Sequence, residues 1–460
     1  MVEFTIGEIV SAVGGTLVQG DPGLTVRGVS TDSRQLRPGE LFIALQGERF
    51  DGHRFVKAAA DSGAAAVIVM QPVAAPDGLA VIRVTDTLAA LGALARAHRS
   101  RFEIPLIAIT GSNGKTTTKD LIAAILEQTL QVVKTEQNYN NEIGLPLTLF
   151  KLSEATEAAV VEMGMRGLGQ IRQLAQIARP TVGIVTNVGL THLELLGNQE
   201  NIAKAKGELV AALPRDGLAI LNGDDPLVRA MQSLTSARKL LYGIDAPGLD
   251  YRATGITATV SGSRFTAETP QGIIMIELPL PGRHNILNAL AAVAVAQALG
   301  LSNQLICKGL SAPLLTGKRL HILEQQGWWL IDDTYNASPT SVRAALEVLA
   351  GAVTGKRRIA VLADMLELGP AASRIHRELG TYAARLKIDW LLAYGDLARE
   401  YVVGFNSAAP QNRGVHFDNK KDLIGNLKAL IQPGDWILVK GSRGMQMEEV
   451  VAALSQEEVE

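Results

Sequence analysis

Along most of its 460 residues the chain alternates short, nearly continuous apolar runs with longer stretches whose apolar positions recur every three or four residues. The first pattern suits strands buried on both faces, the second amphipathic helices. In the N-terminal part Leu41-Phe42-Ile43-Ala44-Leu45, residues 64–69 and Ala80-Val81-Ile82 read as strands, with helices over 6–13 and 55–60. A helix over about 88–101 leads to the run Leu106-Ile107-Ala108-Ile109, after which Ala158-Ala159-Val160-Val161, Val182-Gly183-Ile184-Val185 and Leu218-Ala219-Ile220-Leu221 alternate with helical segments. Such alternation predicts a largely parallel sheet covered on both faces, with ligands beyond the carboxyl ends of its strands. Residues 251–280 are richer in Thr, Ser and Gly, which predicts antiparallel strands at one side of that sheet. From about Lys318 a further unit begins, with strands expected over 328–331, 358–362, 390–393 and 436–439.

The expected fold class is therefore α/β in three domains: a small N-terminal α/β domain over 1–85, a central parallel-sheet ATPase domain with a phosphate loop over 86–316, and a Rossmann-like C-terminal domain over 317–460. No Gly-x-Gly-x-x-Gly turn follows a strand of the last unit, so nothing points to a nicotinamide cofactor. Lys plus Arg (44) nearly balance Asp plus Glu (46), which argues against broad attraction to nucleic acid or to an anionic membrane. The apolar stretch 287–299 is shorter than the ~20 residues a bilayer needs and reads as a buried helix. A single cysteine, Cys307, and a start without a basic-then-apolar segment lead to a cytoplasmic expectation. A monomer is expected, with Cys307 a packed side chain and residues 456–460 a disordered tail.

The most informative stretch is Thr110-Gly111-Ser112-Asn113-Gly114-Lys115-Thr116-Thr117-Thr118, set between an apolar run and a helical pattern. Gly111 and Gly114 allow close backbone approach to an anion, helix N–H groups point at it, Lys115 adds charge, and a Thr116 or Thr117 hydroxyl can ligate Mg²⁺. It reads as an ATP-binding loop, although Ile109 stands where the strict G-x-x-x-x-G-K-[ST] form has its first glycine.

Other polar residues gather at strand ends. Glu162 closes the run 158–161 and suits either a Mg²⁺ ligand or a salt-bridged strand end. His192 follows 182–185 and suits a cation ligand or a structural hydrogen bond. Lys204 and Lys206 lie on a helix, where solvated charge is the ordinary reading. Asn285 and Asn288 open a helix as caps or as adenine contacts. In the last unit Asp332, Asp333 and Asn336 follow a strand, Lys318 and Arg319 precede it, and Lys440-Gly441-Ser442-Arg443 closes the final strand; the cations there can face a transferring phosphoryl group across a cleft. In the first unit Ser30-Thr31-Asp32-Ser33-Arg34 and residues 47–53, with Gly47, Asp51 and His53, end apolar runs and suit either turn chemistry or ligand contact.

These motifs together resemble the ATP-dependent Mur ligases of peptidoglycan synthesis over nearly the whole chain. The likeness is carried by 110–117, Asn138-Tyr139-Asn140-Asn141 with Gly144-Leu145-Pro146-Leu147, 203–208, 282–288, 333–339 and Asp364-Met365-Leu366-Glu367-Leu368-Gly369. The last two, with 440–443, look most like the member that adds D-alanyl-D-alanine to UDP-N-acetylmuramoyl-tripeptide. The resemblance implies that Gly111, Ser112, Asn113, Gly114, Lys115, Thr116 and Thr117 hold ATP and Mg²⁺, that Glu162 and His192 are cation ligands, and that Asn285 contacts adenine. It also implies that Lys206, rather than Lys204, is a carbamylated lysine near a second Mg²⁺, that Asp333 meets the ribose and that Arg319 meets the γ-phosphate. Ser33, Arg34, Gly47, Asp51, His53, Asn138, Asn141 and Asn336 are the substrate positions it implies. Departures stand at 165–169, at Leu190-Thr191 and at Gly444-Met445-Gln446.

Rival readings share the engine or differ in class. Folylpolyglutamate synthetase lacks the N-terminal unit, and the family member that adds diaminopimelate usually carries an Asp-Asn-Pro-Arg run, which is absent here. A nucleotide-gated binding protein would instead hydrolyse ATP with neither peptide substrate present.

Overall fold

The computed structural model describes residues 2–47, 50–317, 319–352, 356–409, 411 and 413–455; the readings placed on Glu48, Arg49, Lys318 and 456–460 lie outside the described residues. Among the described residues, three sheets of five, nine and six strands, with one two-stranded ribbon, organise the fold. The first sheet is mostly parallel through Val29–Ser30, Leu41–Ile43, Ala66–Val69 and Ala80–Arg83, with Thr16–Gln19 antiparallel at its edge. The edge strand and the ribbon Glu3–Thr5/Thr25–Arg27 were not foreseen, because short half-exposed strands carry too few apolar residues to register as runs.

In the nine-stranded sheet Leu106–Thr110 lies between Ala158–Glu162 and Val182–Val185, all parallel. Leu106 and Ala108 enter one core while Ile107 and Ile109 enter the other, which is why this strand reads as an unbroken apolar run. Helices Thr87–Arg99, Gln170–Ala178 and Gln199–Ala211 pack one face, and Lys115–Leu126 with Arg283–Ala298 pack the opposite one. Tyr251–Thr259, Gly262–Thr269 and Gly272–Leu278 form the antiparallel flank, the first joined in parallel to Arg238–Gly243. The core on the Leu106 side runs on without a break into the first unit through Phe4, Ile9, Leu41 and Ile82.

The six-stranded sheet is parallel except for His321–Glu324, which pairs antiparallel with Trp329–Asp333. Asp332 and Asp333 are the last residues of their strand rather than the loop after it. No described helix is long and apolar enough to cross a membrane. Cys307 is half-buried against the central core.

Candidate active site

Strand Leu106–Thr110 delivers the phosphate loop to the carboxyl edge of the central sheet, beside the strand-order switch where a parallel sheet opens a crevice. Gly114, at φ 83, takes the left-handed position before helix Lys115–Leu126, and a Cβ there would lie 2.5 Å from Asn288 Oδ1. At Gly111 a Cβ would collide with Thr186 Oγ1. The loop is braced by its neighbours: Asn113 N–H donates to Asn187 Oδ1 at 3.0 Å, and Asn187 Nδ2 and Thr186 Oγ1 donate to Asn113 O at 3.0 and 2.6 Å. Gly189 N–H donates to Ser112 Oγ at 2.8 Å. Lys115 Nζ donates to Gly111 O at 2.8 Å, and burial lowers its pKa against the raising influence of Glu162.

Thr116 Oγ1 donates to Glu162 Oε2 at 2.7 Å, and Asn140 Nδ2 donates to Glu162 Oε1 at the same distance. The buried carboxylate is thus held at both oxygens, and Glu162 N–H donates to Thr135 Oγ1, which fixes the backbone behind it. A hydroxyl and a carboxylate at the phosphate loop form a hard oxygen set suited to Mg²⁺, which takes its remaining oxygens from phosphates and water. Among the described residues no three His, Cys, Asp or Glu side chains converge to cage a metal by themselves.

Lys206 and Lys204 part company. Lys204 is exposed, as a solvated helix lysine should be, but Lys206 is buried, so the solvated reading is corrected for it. Desolvation, helped by the charge of Lys115, pushes the Lys206 amine well below its ordinary value. His192 sits in the left-handed region at φ 57 with Nδ1 2.6 Å from Glu367 Oε2 of the third unit. Burial lowers its pKa, while Glu367 pulls the other way.

Neither asparagine of the central helix caps it. Asn285 Nδ2 donates to Pro281 O at 2.8 Å, Asn288 Nδ2 to Asn285 Oδ1 at 3.2 Å, and Thr118 Oγ1 to Asn288 Oδ1 at 3.2 Å. Across the cleft Asp333 receives Lys440 Nζ at 2.5 Å and Leu320 N–H at 3.3 Å. The Arg319 guanidinium lies 4.3 Å from the Tyr335 ring centroid. Ser338 Oγ donates to Asn113 Oδ1 at 2.8 Å, so the third unit touches the phosphate loop itself.

The loop, Glu162, His192, Lys206, Asn285, Arg319 and Asp333 line one cavity of about 620 Å³, which Thr117, Asn138, Asn141 and Asn336 also border. Asn138 is exposed, Asn141 Oδ1 caps the turn at Gly144 N–H, and Asn336 Oδ1 accepts from Ala337 N–H. Ser33, Arg34, Gly47, Asp51 and His53 lie outside the cavity. Arg34 pairs with Asp32 at 2.8 Å, and this hydrogen bond draws the Asp32 pKa down to about 2. Both His53 nitrogens are engaged within the first unit: Nδ1 meets Asp51 Oδ1 at 2.7 Å, and Nε2 accepts Met70 N–H at 2.9 Å. Its ring therefore shapes the loop rather than presenting a free donor. Gly47 N–H donates to Phe50 O, and Ser33 is half-buried in a turn.

The residues that sequence reasoning did not single out are Asn140, Thr135, Thr186, Asn187 and Glu367. Asn140 and Glu367 lay inside quoted motifs, but only the folded chain shows which carboxylate or imidazole each one meets.

Three family descriptions match the chain in order: Mur ligase family, catalytic domain, over 25–99; Mur ligase middle domain over 109–296; and Mur ligase, glutamate ligase domain, over 318–443. The UDP-N-acetylmuramoyl-tripeptide–D-alanyl-D-alanine ligase of Bacillus subtilis is 41% identical over 457 residues, 99% of each chain. The chain belongs to the Mur ligase family. Among solved structures this Mur ligase superposes on MurF from Acinetobacter baumannii with a TM-score of 0.93 at 34% identity, covering 99% of this chain and 100% of that one. MurF from Thermotoga maritima, solved in complex with ADP, gives 0.83 at 28% identity, covering 94% and 97%. Both likenesses extend across all three sheets of this Mur ligase, so the cleft between its second and third units is part of what is shared.

Proposed function

We propose that this Mur ligase joins D-alanyl-D-alanine to UDP-N-acetylmuramoyl-tripeptide at the expense of ATP, in peptidoglycan precursor synthesis. The carrying observation is the Thr116–Glu162 oxygen pair at the phosphate loop, facing Arg319 and the Lys440-braced Asp333 across a single cleft. End-to-end likeness to the Bacillus enzyme supports the choice of substrates.

A terminal carboxylate oxygen of the tripeptide attacks the γ-phosphorus of ATP, the bond to the bridging oxygen breaks, and an acyl phosphate and ADP result. The dipeptide amine then attacks the acyl carbon, loses a proton, and phosphate leaves as the amide forms. Such chemistry depends on placement and on neutralising charge more than on covalent help. Loop N–H groups and Lys115 cradle the phosphates, and Arg319 faces the transferred group when the third unit docks. Lys440 and Leu320 N–H fix Asp333, which would meet the ribose, and Asn285, in the same cavity, would contact adenine.

Thr116 and Glu162 would hold Mg²⁺, with His192 and a carbamylated Lys206 at a second ion; bound Mg²⁺ supplies charge neutralisation on the phosphates. The neutral amine is the form that adds CO₂, and burial, which lowers the Lys206 pKa, favours it, which supports that reading of Lys206. The contact of Ser338 with Asn113 ties the third unit to the loop, and such docking would help keep water from the acyl phosphate. Ser33, Arg34 and Asp51 would take the UDP-sugar end, with Asn138, Asn141 and Asn336 along the peptide. The three domains are read as 1–85, 86–316 and 317–460, acting as a cytoplasmic monomer.

Incubating the purified protein with ATP and both peptide substrates should yield the pentapeptide product, ADP and phosphate in equal amounts. ATP turnover that ignores the two peptide substrates would defeat the proposal.

A further inference from the structure

We infer that Glu367, supplied by the third unit, is a positioning residue that fixes the tautomer and orientation of His192, so that the second cation site is complete only when that unit is docked. The inference rests on the reading of His192 as a cation ligand in the proposed ligation.

His192 follows strand Val182–Val185 of the central sheet, and Glu367 follows strand Arg358–Ala363 of the third. Neither is a glycine, yet both occupy the left-handed region, at φ 57 and 63, which side chains with a Cβ rarely adopt. They meet face to face. Nδ1 of His192 lies 2.6 Å from Glu367 Oε2, and the Glu194 N–H donates to the Glu367 carbonyl at 3.2 Å. Two contacts, one through the side chain and one through the backbone, thus converge on the same residue from across the domain boundary.

The loop carrying Glu367 is itself held. Met365 N–H donates to His376 Nε2 at 3.0 Å and Leu366 N–H to Ser442 Oγ at 2.9 Å. Ser442 N–H donates to Asp364 O at 3.1 Å. Glu367 is therefore presented to His192 by a loop tied down at three successive residues, and it is not a long side chain free to wander.

An ionised carboxylate only accepts hydrogen bonds, so the contact requires the proton on His192 Nδ1 and leaves the lone pair on Nε2. A neutral imidazole binds a cation through that lone pair, and a carboxylate on the other nitrogen orients the ring and raises its basicity. His192 borders the same cavity as Glu162 and Lys206. Because ligand and orienter come from different units, cation binding and docking must favour each other reciprocally. The rival account is a plain interdomain latch, in which Glu367 holds the units together without affecting the cation.

Full-length protein with a nonhydrolysable ATP analogue is titrated with Mn²⁺ and followed by electron paramagnetic resonance, using wild type, Glu367→Ala, Glu367→Gln, His192→Ala and the His192→Ala/Glu367→Ala double variant. The Glu367 side chain is 46% exposed, so these replacements leave the core intact. Glu367→Ala should weaken the second Mn²⁺ by about 10- to 100-fold, the effect typical of losing a carboxylate behind a metal-binding histidine. Glu367→Gln should recover most of the affinity, because its amide oxygen still accepts from Nδ1, and the double variant should match His192→Ala alone. Unchanged Mn²⁺ affinity in Glu367→Ala, or effects of the two single replacements that add in the double variant, would overturn the inference. The ligation assay on wild type judges the proposed function separately: pentapeptide formation alongside either of those two results leaves that reading standing and removes only the role of Glu367.

Discussion

Thr116 Oγ1 and Glu162 Oε2 stand 2.7 Å apart although 46 residues separate them in the chain, and Asn140 holds the other carboxylate oxygen. Glu162→Ala removes the carboxylate that the loop threonine meets and should lower kcat by roughly 10²- to 10³-fold, the usual cost of losing an electrostatic stabiliser. Asn140→Ala keeps the carboxylate but frees it to rotate, so the Mg²⁺ needed for half-maximal rate should rise about tenfold. Steady-state rates across a Mg²⁺ titration separate the two effects.

Lys206 is buried next to the positive charge of Lys115, an arrangement that disfavours an ammonium. With ¹³C-labelled bicarbonate, wild type should show a carbamate carbon resonance that Lys206→Ala lacks. Activity of Lys206→Ala should fall on the order of 10²-fold and added bicarbonate should not restore it. Full activity in the variant would dispose of the carbamate.

Helix Lys115–Leu126 carries a fully buried ion pair, Lys119–Asp120 at 3.1 Å, one residue pair beyond the phosphate-loop threonines. Asp120 accepts Thr316 N–H at 2.7 Å and Thr316 Oγ1 at 3.0 Å, while Lys119 donates to Thr135 O at 2.7 Å. The pair thus anchors the chain where it leaves the central sheet for the third unit. Asp120→Ala strands a buried ammonium and should cost about 3–5 kcal/mol in urea unfolding, against a smaller loss for Thr316→Val.

His98 sits among Phe4, Phe102 and Phe150 where the first and central units join, its Nε2–H donated to Leu152 O at 3.0 Å. Nδ1 has no partner among the described residues, so a second proton would be buried without an acceptor. Burial lowers the pKa to about 4. The unfolded chain takes up that proton from about pH 6.5 downward and the folded chain only near 4, so stability drains away as pH falls through this window. His98→Phe should flatten that part of the stability curve in thermal unfolding at stepped pH. His284 and His376, also lowered by burial, keep a residual slope.

What the sequence determined by itself was the part of the molecule written in local order. Runs such as Leu106-Ile107-Ala108-Ile109 read as strands buried on both faces, and a Gly-rich turn with Lys115 and three threonines at a strand-to-helix junction reads as an anion-binding loop. The antiparallel flank and the alternation of strands and helices were legible for the same reason: periodicity is a property of neighbours in the chain. The edge strand Thr16–Gln19 was not, having too little apolar content to stand out.

Only the tertiary structure decided which side chains share a charge or a proton. Lys204 and Lys206 are two residues apart on one helix, and their difference, solvated against buried, depends on what packs over each. His53 and His192 were alike as lone histidines beside loops; one spends both nitrogens inside its own domain, and the other meets a carboxylate 175 residues away. Burial and long-range pairing set these differences, because desolvation and Coulomb energy follow distance in space rather than separation along the chain.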